Sequence, residues 1–285
     1  MYAFPIGVMV DSFRVETKQA VMLAAKTGAK GLQMYSTTGV NSPENLKGQA
    51  RRDLLAFVKD QGMVFSAICG DLGHGFGNKE RNPELIEKSK RILDFAKDME
   101  TDIVTTHIGV VPEDPSHERY KIMQQACYEL ATYADSIGSH FALETGPETS
   151  AVLKTFLDSL GSRGVGVNLD PANLVMVTGD DPVGAVHNLK DYIVHTHAKD
   201  GNMLYRTNPE YIYGITPRPE DLKGIRCFEE VPLGTGSVNF PAYLKALEEI
   251  GYRGFLTVER EAGENPAADI QLAVDFLKKT IAENE

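Results

Sequence analysis

The sequence has little cysteine, a shortage of positive charge and no long apolar run. Its three cysteines, Cys69, Cys127 and Cys227, are odd in number, far apart and form no CxxC pair. That usage fits reduced thiols in a cytoplasmic protein rather than a disulfide framework. Lysine and arginine together number 29 against 40 aspartates and glutamates, giving a net charge of −11 and a pI of about 5.2. Nucleic acid and anionic membrane both reward basic surfaces, so neither is an expected partner. No apolar stretch approaches the 18 or so residues of a membrane helix. The N-terminal MYAFPIGVMVDSF carries Asp11 and lacks a basic leader and a cleavage site, and is read as a first strand rather than a signal peptide. No internal repeat, low-complexity stretch or linker divides the chain.

What is present is a rhythm. Short apolar runs occur at 5–10, 31–36, 64–70, 103–109, 141–146, 165–170, 193–198 and 255–260. Amphipathic stretches follow them at 15–28, 43–61, 82–100, 116–138, 149–161, 182–190, 239–251 and 265–283. Asn41-Ser42-Pro43, Asn82-Pro83 and Asp181-Pro182 read as helix starts with proline in the first turn, and Gly28, Gly62, Gly138, Gly161 and Gly251 as helix ends. Strict alternation of strand and helix means parallel strands with helical crossovers, and eight such units close a barrel. The predicted fold is therefore of the α/β class, a single-domain (β/α)8 TIM barrel over residues 1–285, close to the usual length for that architecture. One segment breaks the rhythm. Residues 199–238 follow the seventh strand as a long active-face loop, and its Tyr205, Arg206, Tyr211, Tyr213 and Arg218 suit contact with a polar ligand or with another copy of the chain in a homo-oligomer.

Side chains alternate across a strand with period two. By that parity Glu144 shares a face with Ala142, Asp170 with Asn168, His197 with His195, and Glu259 with Thr257. The intervening Leu143, Leu169 and Val258 take the opposite, helix-covered face. Four consecutive strands thus deliver Glu, Asp, His and Glu to the C-terminal mouth of the barrel. Three carboxylates together repel and shift one another's pKa. A single divalent cation removes the conflict, and carboxylates with one imidazole suit Mn²⁺, Mg²⁺, Co²⁺ or Zn²⁺.

The stretches ALETGPET, VGVNLDPANL, YIVHTHAKDG and GTGSVNFPAYLKALEEIGYRGFLTVERE resemble the xylose isomerase-like TIM barrel superfamily and its sugar phosphate isomerase/epimerase branch. That group holds sugar isomerases, tagatose-type ketose 3-epimerases, inosose and dehydroshikimate dehydratases and endonuclease IV. The resemblance implies the same metal ligands, Glu144, Asp170, His197 and Glu259, with Glu144 and Glu259 also acting as the acid–base pair. It has informative departures. Tagatose-type epimerases place a Glu six residues after the strand-five Glu, a His three after the strand-six Asp and an Arg six after the strand-seven His. This chain has Ser150, Asn173 and Met203 there, which speaks against a free ketohexose as substrate. His197-Ala198-Lys199-Asp200 resembles the HxKD of other branches, dehydratases among them.

Further residues fall at the expected mouth. His107, in THIG after the fourth strand, is placed to bond a substrate hydroxyl, and Lys199 to hold a carboxylate, phosphate or enolate oxygen. Asn173, His74 in GDLGHGFG and Arg206 complete the expected substrate contacts. His195 lies one layer deeper and reads as a buried structural residue. No GxGxxG opens a helix, and no Ser-His-Asp set or nucleophilic cysteine stands out. The expected activity is isomerisation or epimerisation of a small carbohydrate through an enediolate. A dehydratase acting on a keto-inositol or related polyol is the alternative within enzymes, and a non-catalytic sugar-binding barrel the alternative outside them. A phosphodiesterase of the endonuclease IV kind needs more metal and more histidine than this mouth offers.

Overall fold

Parallel strands covered on both sides lose their polar alternation and read as nearly continuous apolar runs. Apolar residues predominate in β1 (Ile6–Met9), β2 (Gly31–Tyr35), β3 (Val64–Cys69) and β6 (Val165–Leu169), whereas β4 (Ile103–Thr106), β5 (His140–Glu144) and β7 (Ile193–Ala198) also carry polar residues such as Thr105, Glu144, His195 and His197. The computed structural model describes residues 2–283. In it those seven strands and β10 (Leu256–Val258) pair in parallel and in sequence order, and β10 closes on β1 to complete an eight-stranded barrel. Between them run α1 (Thr17–Thr27), α2 (Gly48–Asp60), α3 (Asn82–Asp98), α4 (Glu118–Ser136), α5 (Ser150–Leu160), α7 (Pro182–Asn188), α9 (Phe240–Glu249) and α10 (Pro266–Glu283). The outward strand residues Val104, Leu143, Val167 and Leu169 and the helix residues Phe95, Leu130, Phe156 and Leu244 are fully buried together, a continuous layer between strands and helices.

The barrel agrees with the sequence expectation, with two differences in its elements. The second helix starts at Gly48, not at 43. Gly48 has a φ of +54°, which a helix cannot run through, so Pro43 sits in a separate turn before it. The segment 199–238 is not structureless. It contains an antiparallel hairpin of β8 (Asp200–Met203) and β9 (Phe228–Val231) and the single-turn helix α8 (Pro209–Ile212). A short helix, α6 (Pro171–Asn173), and a π-helical turn over Leu174–Thr178 also follow β6, where wide turns often mark functional sites.

Two carboxylates hold the hairpin, Asp200 by closing the excursion on itself and Glu230 by tying it to the barrel. Asp200, 1% exposed, accepts the N–H groups of Gly201, Gly234, Gly236 and Val238 at 2.9–3.1 Å. Glu230 of β9 accepts Nη1 of Arg260 at 2.5 Å and the N–H groups of Glu261 and Ala262 just past β10. No helix among the described residues is long and apolar enough to cross a membrane.

Candidate functional site

Strand parity dictates what reaches the mouth. Glu144 is the last residue of β5, Asp170 follows β6 and caps α6, His197 lies in β7, and Glu259 follows β10. All four are nine-tenths or more buried, and each offers a ligand atom within 4.8 Å of the others. The centre of the group is Nδ1 of His197. It lies 3.5 Å from Oε1 of Glu144, 3.3 Å from Oδ2 of Asp170 and 3.4 Å from Oε2 of Glu259.

The remaining atoms of these groups are held from behind. Nε2 of His197 lies 3.0 Å from Oε1 of Gln33, whose amide nitrogen donates to Oγ1 of Thr105 at 2.8 Å. That contact suits a proton on Nε2 and turns Nδ1 toward the carboxylates. Asn168 donates to Oε2 and Asn173 to Oε1 of Glu144, each at 3.1 Å. Asp170 accepts the N–H of Asn173 through Oδ1, leaving Oδ2 for the centre. Lys199, 4% exposed, donates to Oε2 of Glu259 at 2.9 Å and also bonds Glu261.

The electrostatics follow from this crowding. Burial pushes the Glu144 carboxyl up, but the His107 and His197 rings outweigh it and hold it below the usual range. Burial acts the same way on Glu259 and is outweighed by Lys199 and His197. Burial would lower the His197 pKa, yet Glu259 and Glu144 raise it well above that of an ordinary histidine. The site thus draws one positive charge onto its imidazole. Three buried carboxylate oxygens and one imidazole nitrogen converging this closely are a donor set that can hold a divalent ion.

Above the cluster lies a cavity of about 230 Å³, lined among others by Tyr35, His107, Glu144, Lys199, Tyr213 and Glu259. Asn173, Met176, Val177, Ile212, Phe228, Glu230 and Glu261 complete most of its wall. Of the residues singled out in the sequence, the structure brings Glu144, Asp170, His197, Glu259, Asn173, Lys199 and His107 together. His107 falls just past β4, with Nε2 3.4 Å from Oε1 of Glu144 and its ring 5.9 Å from that of Tyr213.

Two others lie elsewhere. His74 is exposed and outside the cavity wall. Gly75 next to it serves close packing: a Cβ there, at a φ of +58°, would stand 2.6 Å from the carbonyl oxygen of Ile108. Arg206 is exposed in a neighbouring cleft, where Nη1 donates to the Thr178 carbonyl at 3.0 Å. His195 is the buried residue the sequence suggested. It contacts Oγ1 of Thr257 at 3.1 Å, and burial with the nearby His197 lowers its pKa to about 3.

Sequence reasoning passes over Gln33, Tyr35 and Glu261, whereas Tyr213, singled out in the long loop, does reach the cavity wall. Gln33 has a readable signal, as a lone polar residue inside the apolar GLQMY, and Glu261 repeats Glu259 two residues on.

Residues 21–280 match the family described as xylose isomerase-like TIM barrel. The solved structure of a xylose isomerase domain protein from Planctomyces limnophilus is 26% identical, superposes with a TM-score of 0.78, and matches 98% of this chain and 97% of its own. An L-ribulose 3-epimerase structure has a TM-score of 0.74 at 16% identity, covering 99% of this chain and 95% of that one, a likeness of fold. The inosose dehydratase of Clostridium beijerinckii is 24% identical over 173 residues, 58% of this chain and 55% of that protein, so the match spans little more than half the dehydratase.

Proposed function

The chain belongs to the xylose isomerase-like TIM barrel family, and from that membership and the mouth geometry we propose that it is a divalent-metal-dependent isomerase or epimerase of a sugar or sugar derivative. The observation that carries the reading is the placement of two buried carboxylates, Glu144 and Glu259, beside one imidazole and on the wall of one small cavity. Glu144, Asp170, His197 and Glu259 would hold a divalent ion, which would supply a Lewis acid for a carbonyl and its neighbouring hydroxyl.

The protein groups do the rest. One glutamate removes the proton alpha to the carbonyl, leaving an enediolate, and the other returns a proton to the neighbouring atom or the opposite face. The two are not equivalent. The ammonium of Lys199 touches Glu259 and lowers its basicity beyond what the shared His197 ring does, whereas Glu144 carries no ammonium and takes amide donors from Asn168 and Asn173 beside the His107 and His197 rings. We therefore assign proton abstraction to Glu144 and return to Glu259. Tyr213, Ile212 and Phe228, from the 199–238 excursion, wall the cavity and limit water there.

A dehydratase is the second reading. It is favoured by the similarity to inosose dehydratase and by Lys199, whose ammonium at the cavity wall suits a hydrogen bond to a leaving β-hydroxyl. One experiment separates the two. Keto-sugars, keto-inositols and uronates are incubated with the Mn²⁺-loaded protein in D₂O and followed by NMR. An isomerase or epimerase gains solvent deuterium at one carbon and keeps every hydroxyl. A dehydratase gives a product lacking one water. No turnover of any class with a filled site overturns both.

A further inference from the structure

The charges at the mouth leave no cation to spare. Glu144, Glu230, Glu259 and Glu261 all line the cavity; the divalent ion would neutralise Glu144 and Glu259, Arg260 pairs with Glu230, and Lys199 is the one lysine or arginine in the described wall. That ammonium is already bonded to Glu259 and Glu261. The arginines nearby are committed as well. Arg260 spends its guanidinium on Glu230 and Asp269, with Nε 2.9 Å from Oδ2 of Asp269. Arg14 donates to the carbonyls of Glu261, Ala262 and Gly263, and Arg119 pairs with Glu210.

Backbone donors are occupied too. In (β/α)8 barrels a phosphate commonly sits on the loops after the seventh and eighth strands. Here those loops leave β7 and β10. The first one's N–H groups, from Gly201, Gly234, Gly236 and Val238, converge on the carboxylate of Asp200. The second one's, from Glu261 and Ala262, converge on Glu230. The protein's own carboxylates fill the places where an anionic ligand would find donors. The cavity, about 230 Å³, is also smaller than the roughly 300–1,000 Å³ of drug-sized ligand sites.

We propose that the ligand of this mouth is an uncharged polyhydroxy carbonyl compound of single-sugar size, and that the site selects against phosphorylated and carboxylated sugars. This rests on reading the mouth as a carbohydrate site and narrows the class of carbohydrate.

The test is equilibrium binding, read by calorimetry on the full chain with free Mn²⁺ kept saturating. The probes are matched pairs: D-xylulose and its terminal phosphate, D-glucose and D-glucuronate. At least one neutral member is expected to bind with a Kd below roughly 10 mM, and its anionic partner at least about tenfold more weakly, or 1.4 kcal/mol. Glu261→Gln, which frees one side of Lys199 and removes one charge, is expected to narrow that preference several-fold. Tighter binding of the anionic member, no neutral binder in that range, or an unchanged preference in the variant would overturn the inference. Turnover plays no part in this readout. Neutral preference without deuterium exchange fails the isomerase reading alone, and exchange on a tightly bound phosphate ester fails this inference alone.

Discussion

Nε2 of His197 stands 3.0 Å from Oε1 of Gln33, so a glutamine on the second strand orients a candidate metal ligand on the seventh. Groups that orient metal ligands typically matter 10–100-fold in metal affinity. Gln33→Leu should weaken Mn²⁺ binding by about that factor while the barrel stays folded, as checked by titration calorimetry and circular dichroism. Wild-type affinity in the folded variant would mean that His197 is oriented by something else.

The carboxylates raise the His197 pKa well above its ordinary value, so without metal the ring is protonated at neutral pH. A metal ion requires the neutral ring. Binding should therefore release about one proton per ion near neutral pH, and apparent affinity should rise about tenfold per pH unit below that pKa. Calorimetry in buffers of different ionisation enthalpy reads the proton count directly. No proton release would contradict the charge state assigned to the ring.

Glu148 offers a stability test away from the centre. It is 6% exposed, and burial, partly offset by the N–H of Val111, raises its pKa to about 8. The folded protein then holds a proton that the unfolded chain releases in the ordinary carboxylate range. The sign is fixed: stability falls as pH rises between that range and about 8, by up to about 1.4 kcal/mol per unit. Glu148→Gln keeps an acceptor for Val111 and removes the titration. Its advantage over the wild type in urea unfolding should grow from pH 5 to pH 8 and then level off.

The 199–238 excursion depends on Asp200, which receives four N–H donors. Asp200→Ala leaves those donors without their acceptor, and hydrogen bonds to charged groups are worth about 1.5–3 kcal/mol each, not additively. The variant should lose roughly 3 kcal/mol or more of stability. If substrate sits under Tyr213 and Phe228, KM should rise more than kcat falls. A thermal shift within a degree of wild type would show that the hairpin is held by other contacts.

Much of this arrangement is legible in the order of the residues. Eight apolar runs spell out the barrel, because parallel strands must be apolar on the helix side. Period-two parity alone brings Glu144, Asp170, His197 and Glu259 together, because a strand's side-chain direction is fixed by position. Past the strand ends that rule stops. His107 and Lys199, one residue beyond β4 and β7, still fall where the strands aim them. His74 and Arg206 lie in segments whose path depends on tertiary contacts, Gly75 against Ile108 in one case and Arg206 against Thr178 in the other. The hairpin of β8 and β9 is hidden for a related reason. Its strands are far apart along the chain, and its anchors, Asp200 and Glu230, act on backbone groups that leave no pattern in the sequence.

The central claim is that Glu144 and Glu259 both hold the metal and move the proton. The measurement is solvent deuterium exchange and turnover of Glu144→Gln and Glu259→Gln, each at saturating Mn²⁺ with occupancy determined. Acid–base catalysis contributes roughly 10²–10⁴-fold, so each variant should lose at least that factor in kcat. Glu144→Gln should also lose exchange at the substrate carbon, whereas Glu259→Gln should keep exchange and fail to form product. Near wild-type turnover by both variants at full occupancy would contradict the account and leave the cluster as a metal-held binding pocket.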